Sequence, residues 1–190
     1  AMKTIFVTAF QAVEVKNLLR TGVVSKLLSD IDVRVVLFMK NQVRVDYYKD
    51  QFKDPRIIYE VADGGASARG MLDSLFSKLK FILLRTGTTL LRRQLFFEYE
   101  KDYFRYHFAS FANWVLARSF VRRASRALDY NLVSSDFYAQ YFEKYKPDLI
   151  FLAHLFEESE VHLLREAKKR KVKTIGFINS WDKLTARSIL

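Results

Sequence analysis

The chain has 190 residues, half of them hydrophobic, and its 32 Lys and Arg against 21 Asp and Glu give a formal net charge of +11. This length and apolar fraction are sufficient for a folded core, so a disordered chain is excluded. The chain contains no cysteine, which excludes disulfides, cysteine-ligated zinc, iron–sulfur clusters and cysteine nucleophiles. With only three histidines, no metal site is predicted.

The first third of the chain alternates strand-like and helical patterns. Runs rich in β-branched and aromatic residues predict strands at 4–8, 33–38 and 56–61. Apolar residues at helical spacing between these runs predict helices over 15–28 and 43–52. This alternation is typical of a parallel sheet whose strands are joined by right-handed crossovers.

The last third repeats the alternation. Helices are predicted over 136–145 and 157–171, and strands over 149–153 and 172–178. The strand runs are almost continuously apolar, as strands buried on both faces require. The sequence therefore predicts an α/β fold with a Rossmann-like parallel sheet of about five or more strands.

The middle of the chain, about 68–130, differs from both flanks. It contains no strand-like run, and its apolar spacing predicts two or three helices. Its 12 Lys and Arg against 5 Asp and Glu give +7 of the total charge, and it holds 13 of the 29 aromatic residues. We interpret residues 1–190 as a single Rossmann-like domain that carries a basic, aromatic helical insertion.

Ligands of an open parallel sheet bind beyond the carboxyl ends of its strands, and this rule selects the candidate site. The candidates that follow the predicted strands are Phe10, Gln11, Val13, Glu14, Asn17 and Arg20 after the first, Lys40 and Asn41 after the second, Asp63, Gly64 and Gly65 after the third, His154 and Glu157 after the fourth, and Asn179, Ser180, Trp181 and Asp182 after the fifth. The chain lacks the glycine-rich dinucleotide fingerprint, the P-loop motif and the nucleophile elbow. These three classes of site are therefore not expected.

His154 directly follows an apolar predicted strand. An imidazole at that place could face a cleft and accept a proton from a hydroxyl near neutral pH. A buried histidine whose ring is satisfied by hydrogen bonds, or one that caps a helix, explains the position more simply. Glu157 and Glu158 are interpreted as first-turn residues that interact with a helix dipole.

Asn17 and Arg20 are three residues apart and so share one helix face. An amide and a guanidinium near a helix N-terminus suit a phosphate or a carboxylate, while an N-cap and a solvated arginine explain them equally well. After the fifth predicted strand, Trp181 and Asp182 fit a structural ring and a turn cap at least as well as a catalytic role.

The insertion supports three interpretations. Its helices could pack on the sheet with a solvated cationic face, bind nucleic acid through stacking rings and phosphate contacts, or lie on an anionic membrane. Apolar and basic residues alternate closely around Arg85, Arg92, Arg93, Phe96 and Phe97, as in interfacial helices. No known nucleic-acid-binding motif is recognised. Membrane contact therefore ranks above nucleic acid, and core packing holds in part in either case.

No apolar run of about 18 residues is present to span a bilayer, and no secretory signal is recognised. We therefore expect a cytoplasmic protein, peripheral on the inner face of the membrane.

Three segments carry a resemblance to a known family. They are Thr8–Thr21 (TAFQAVEVKNLLRT), Lys146–Leu152 (KPDLIFL) and Arg165–Asp182 (REAKKRKVKTIGFINSWD). Their order resembles the amino-terminal half of two-domain, twin Rossmann-like glycosyltransferases, and is similar to surface-carbohydrate and CDP-glycerol glycerophosphotransferase-like enzymes. The resemblance covers most of the chain outside 68–130.

In such enzymes the amino-terminal domain binds the acceptor, the carboxy-terminal domain binds the nucleotide-activated donor, and the active site lies between them. The resemblance implies that His154 or Asp182 assists deprotonation of an acceptor hydroxyl. The residues it implies for binding a carbohydrate or lipid-linked acceptor are Gln11, Asn17, Arg20, Asp63, Ser180 and Trp181.

The chain ends at Leu190, soon after the last of these residues. We therefore expect a truncated or separately encoded acceptor domain that binds no cofactor itself and is active only when joined to a donor-binding domain. The alternative is a non-enzymatic, flavodoxin-like module that binds nucleic acid through its basic insertion.

Overall fold

A computed structural model describes residues 2–62, 70–133, 136–155 and 157–178. The described residues form two compact units. Residues 70–133 form one of them, which we call the helical unit, and the other three ranges form the α/β unit.

Five strands form the sheet of the α/β unit. They are β1 (Lys3–Thr8), β2 (Val33–Met39), β3 (Ile57–Val61), β4 (Leu149–Leu152) and β5 (Lys173–Gly176). The helices of both units, in chain order, are α1 (Ala12–Val15), α2 (Val23–Leu27), α3 (Gln42–Gln51), α4 (Met71–Leu83), α5 (Gly87–Glu100), α6 (Tyr103–Leu116), α7 (Ser119–Leu132), α8 (Ala139–Tyr145) and α9 (Glu158–Lys169). A π-helical turn (Lys16–Arg20) follows α1, and a 3₁₀ turn (Asp136–Tyr138) precedes α8.

The sheet is parallel throughout and has the order β3-β2-β1-β4-β5. In the register at its centre, Val7 of β1 pairs with Leu37 of β2 on one side and with Phe151 of β4 on the other. The chain moves outward from β1 to β3 and then crosses back to β4. The direction of strand order therefore reverses between β1 and β4, and the predicted Rossmann-like α/β class is confirmed.

Alternate residues of the strands enter two separate apolar clusters, one on each face of the sheet. Ile5 and Val7 of β1 pack with Val15 and Leu19 on one face. Phe6 enters the other cluster, where its ring lies 4.9 Å from that of Phe38 and 5.4 Å from that of Phe142 on α8, measured between centroids. Burial of both faces is the physical reason why the sequences of β1 and β2 are almost continuously apolar.

The predicted single helix over 15–28 is wrong, because the structure divides this stretch into α1, the π-helical turn and α2. Gly22 precedes α2 with φ of +82°, in the left-handed region. A left-handed residue cannot continue a right-handed helix, and glycine adopts this conformation without the steric cost that other residues incur. The apolar stripe continues across the break, which is why periodicity alone does not reveal it.

In the helical unit the structure shows four helices, α4 to α7, rather than the two or three predicted. The links between them have two or three residues and contain no proline. Thr86 caps α5 by accepting a hydrogen bond from the amide of Thr89, and Asp102 caps α6 in the same way with Arg105. Helix α5 ends at Lys101, a non-glycine residue with φ of +52°, so the usual glycine signal for a helix end is missing.

Asn113 fixes the end of α4 inside the helical unit. Its side chain is 1% exposed, and its Nδ2 atom donates hydrogen bonds to the carbonyl oxygens of Ile82 (2.5 Å) and Leu84 (3.0 Å). These carbonyls lie at the carboxyl end of α4, where the helix itself provides no donor. Among the described residues, no helix is both long and apolar enough to cross a membrane.

Candidate functional site

Polar side chains converge where the carboxyl ends of β1 and β4 lie side by side. This is the point at which the strand order reverses, and open α/β sheets bind ligands at such points. We call the group the switch-point cluster. Its members are Thr8, Gln11, Glu14, His154, Glu157 and Glu160.

Glu160, at the start of α9, is the buried centre of the cluster, with 0% of the residue exposed. Its Oε1 atom accepts a 2.5 Å hydrogen bond from the Thr8 hydroxyl, and Oε2 accepts one of 2.9 Å from the backbone amide of His154. The Thr8 hydroxyl oxygen in turn accepts a 2.8 Å hydrogen bond from the amide of Ala153. These bonds connect the end of β1, the turn after β4 and the first turn of α9.

Burial raises the pKa of Glu160 to about 8, because the charged carboxylate would lose its hydration there. The hydrogen bonds from Thr8 and His154 lower the pKa and offset part of this effect, while the charges of Glu14 and Glu157 add to the rise. Burial therefore favours the protonated form of the Glu160 carboxyl over a wider pH range than for a glutamate in water.

His154 lies in the turn after β4, is 3% exposed, and is surrounded by carboxyl groups. Its Nδ1 atom is 3.8 Å from Oε1 of Glu14 and 3.7 Å from Oε2 of Glu157. A carboxylate at this separation stabilises the positive charge that an imidazole gains when it accepts a proton.

Gln11, three residues beyond the end of β1, links two elements at the outer side of the cluster. Its Nε2 atom donates a 3.1 Å hydrogen bond to Oε2 of Glu157, and its backbone amide donates one of 2.9 Å to Oε2 of Glu14. The second bond belongs to the capping box that begins α1. The local requirement to cap a helix therefore also holds Glu14 beside His154.

Of the sequence-predicted site residues, the structure brings Gln11 and His154 together and leaves two others outside the cluster. Asn17 and Arg20 lie exposed on the π-helical turn, and no hydrogen bond described for the cluster includes them. Asp63, Ser180, Trp181 and Asp182 lie outside the residues that the structure describes.

Sequence reasoning missed Glu160, and for Glu157, a candidate after the fourth strand, it preferred a role as partner of the helix dipole. A signal was present, because Glu157 and Glu160 follow His154 at intervals of three residues. On a turn that leads into a helix, this spacing can return each carboxyl to the same side. Glu14 was noted only as one of several residues after the first strand, since its capping role becomes visible only with the geometry of α1.

The residues predicted to contact a membrane or a polyanion lie in the helical unit. Arg85 and Arg92 are exposed, and Arg92 lies over the ring of Phe96 at 5.7 Å from its centroid. Arg93 and Phe97 are half-buried. The predicted set therefore divides into an exposed group and a pair that lies partly inside the unit.

Comparisons with protein-family models, with curated proteins and with solved structures found no match. The resemblance to glycosyltransferases stays a prediction.

Proposed function

We propose that the α/β unit is the acceptor-binding half of a glycosyltransferase or polyol-phosphate transferase that acts in the synthesis of cell-surface polysaccharide or glycolipid. The observation that supports this most is His154, placed at the switch point between two carboxyl groups at 3.7 and 3.8 Å. An imidazole supported by carboxylates is the arrangement that removes a proton from a hydroxyl nucleophile.

In the proposed reaction, an acceptor hydroxyl replaces the amide of Gln11 on the Glu157 carboxylate and comes within reach of His154. His154 takes the hydroxyl proton as the acceptor oxygen forms a bond to the transferred group of the donor. The bond between that group and the nucleotide phosphate breaks, and the nucleotide leaves with the electron pair on its phosphate oxygen. The carboxyls of Glu14 and Glu157 stabilise the resulting imidazolium. The Glu160 carboxyl, whose raised pKa favours the protonated form, holds the backbone amide of His154 without adding a third ionised carboxylate to those of Glu14 and Glu157.

The charge of the cluster favours an acceptor over a donor. Carboxylates accept hydrogen bonds from the hydroxyls of a sugar or polyol, whereas they repel the phosphates of an activated donor. We therefore place the nucleotide-activated donor on a separate carboxy-terminal domain and assign no cofactor to this unit.

We further propose that the protein works in the cytoplasm, on the inner face of a membrane, with a lipid-linked acceptor. The support comes from the helical unit, which exposes large apolar side chains such as Phe104 (82%), Phe120 (71%) and Trp114 (55%). These rings share the unit with its excess of arginines, a combination that suits an anionic interface.

Saturation-transfer NMR on the intact chain tests acceptor binding. The probes are neutral methyl glycosides and glycerol on one side, and UDP-glucose and CDP-glycerol on the other. We expect a saturation-transfer signal from at least one neutral polyol, and we expect the Glu157→Gln variant to lose this signal. The control is Glu143→Gln, which removes one exposed carboxylate from α8 in the same unit. Binding of only the nucleotide compounds would overturn the assignment of this cluster to an acceptor. Polyol binding that is unchanged in Glu157→Gln would overturn it as well.

The base is tested by turnover of the protein joined to its donor-binding domain. We expect His154→Ala to lower kcat by about 10²–10⁴-fold, the usual contribution of a general base. Unchanged turnover would remove His154 from the mechanism while leaving the binding result untouched.

A further inference from the structure

The helical unit contains a cavity between α4, α5 and α6 with a volume of about 410 Å³. We call it the arginine cavity. Apart from small residues, its lining includes Phe81, Arg92, Arg93, Phe97, Arg105 and Tyr106. Pockets that hold small organic ligands have volumes of roughly 300–1,000 Å³, so the cavity is large enough for one such molecule.

Aromatic rings form much of its wall. The rings of Phe97 and Tyr106 lie 4.6 Å apart between centroids, and Phe97 also packs at 5.0 Å against Tyr103. Such a wall binds the apolar part of a ligand by removing it from water.

Two carboxyl groups also line the cavity, and both already have partners. Glu100 forms a 2.9 Å ion pair with Nη1 of Arg105. Asp102 accepts a 2.9 Å hydrogen bond from the backbone amide of Arg105 and so caps α6. Neither carboxyl is paired with the two arginines contributed by α5, Arg92 and Arg93.

Arg93 differs from the other two cavity arginines. Its Nη1 atom is closed off from solvent, and no acceptor in the described part of the chain lies within hydrogen-bond distance of it. Loss of hydration lowers the pKa of this guanidinium. A cation held in a partly apolar wall attracts an anion more strongly than a cation at the surface does.

We propose that the arginine cavity binds a phosphate or carboxylate group carried on an apolar body, with Arg93 as its counter-ion and the aromatic wall around the apolar part. This site is distinct from the switch-point cluster and does not depend on the proposed transferase activity. Under this proposal, Arg93 recognises one molecule within the helical unit, whereas the sequence pattern predicts that it contacts a membrane surface.

Isothermal titration of the intact chain with dodecyl phosphate, kept below its micelle concentration, tests the proposal. Inorganic phosphate and dodecyltrimethylammonium serve as the matched probes that lack the chain or carry the opposite charge. We expect saturable binding of one dodecyl phosphate per chain, at least tenfold weaker binding of inorganic phosphate, and no saturable binding of the ammonium compound.

Arg93→Gln removes the counter-ion and should weaken binding of dodecyl phosphate at least tenfold. Arg123→Gln is the control, since it removes the same charge from an exposed position on α7 outside the cavity lining. Ala109→Phe places a ring into the cavity from its wall and should abolish binding without any change of charge.

Equal binding of the phosphate and ammonium compounds would overturn the proposal, because the interaction would then be only apolar. Equal weakening by Arg93→Gln and Arg123→Gln would overturn it as well, since a diffuse charge effect would explain both. Circular dichroism of each variant confirms that the helices are retained.

Discussion

The Thr8 hydroxyl, the amide of His154 and the Glu160 carboxyl form a buried network within the α/β unit. Burial raises the pKa of the Glu160 carboxyl from an ordinary value of 4.5 to about 8 in the folded chain. Between these two values, the folded chain retains a proton that the unfolded chain has released. Stability must therefore fall as the pH rises through this range.

We expect the contribution of Glu160 to the free energy of unfolding to decrease by about 1.4 kcal/mol per pH unit between pH 4.5 and 8. Urea unfolding at a series of pH values measures this decrease. The decrease should level off above pH 8. Glu160→Gln should remove this part of the slope, because an amide of the same shape does not titrate. Glu143→Gln, on the exposed side of α8, should keep it. Identical slopes in both variants would contradict the assignment.

Thr8→Val tests the network from its other side. Valine keeps the branched shape but removes the hydroxyl that donates to Glu160 and accepts from the amide of Ala153. The amide of Ala153 then loses this acceptor, and Oε1 of Glu160 keeps only the 3.1 Å hydrogen bond from the amide of His154. We expect a loss of about 1–3 kcal/mol in the free energy of unfolding. Thr8→Ser retains the hydroxyl and should lose only about 0.8 kcal/mol for the missing methyl group. A valine variant as stable as the serine variant would show that the hydroxyl contributes little.

At the scale of elements, strands were more predictable than helix ends. The five strands are found where the sequence predicts them. The pattern is clearest for β1 and β2, which are buried on both faces, whereas most residues of the edge strand β5 are exposed. Helix boundaries depended on single backbone conformations instead. Gly22 breaks one predicted helix, and Lys101 ends α5 in a left-handed conformation that lysine rarely adopts.

The same difference between local pattern and geometry applies to the candidate site. His154 and Gln11 were predictable from the rule on strand ends, since they lie two and three residues beyond the ends of β4 and β1. The role of Glu160 was not, because it depends on a hydrogen bond to Thr8, 152 residues away in the chain.

Gly22→Ala tests the break between α1 and α2. A residue with a Cβ atom is strained at φ of +82°, even where the surrounding space is open. We therefore expect Gly22→Ala to lower the free energy of unfolding by about 1–2 kcal/mol. Gly87→Ala is the matched control. Gly87 is the first residue of α5, and no heavy atom lies within 4 Å of a Cβ atom added there. The Gly87→Ala substitution should leave the free energy of unfolding unchanged or raise it by up to about 1 kcal/mol. Thermal unfolding of both variants decides the matter, and equal effects would argue against a required left-handed residue.

At the scale of the whole molecule, charge is unevenly distributed along the chain. Residues 68–130 carry +7 of the net +11, and in the helical unit these charges accompany exposed rings. An anionic bilayer attracts such a surface by about 1 kcal/mol for each Lys or Arg that comes near it.

We expect the intact chain to sediment with phosphatidylglycerol vesicles at low salt and not with phosphatidylcholine vesicles. Replacing Arg85 and Arg92 together by Gln should weaken this binding about thirtyfold, from about 2 kcal/mol of lost attraction. Replacing Lys40 and Lys49 of the α/β unit, which are also exposed, by Gln should have little effect. Single-stranded RNA that binds more tightly than the vesicles, with a steep salt dependence, would favour the nucleic-acid module instead.

The connection from β3 to β4 has a consequence for how this protein can change over evolution. Helix α8 alone supplies a crossover helix, since Phe142 and Tyr145 already pack into the aromatic cluster on one face of the sheet. The four helices α4 to α7 are thus extra to a crossover that is complete without them. Selection can lengthen, replace or discard them while the strand order is preserved, so related sheets with unrelated insertions at this position are expected.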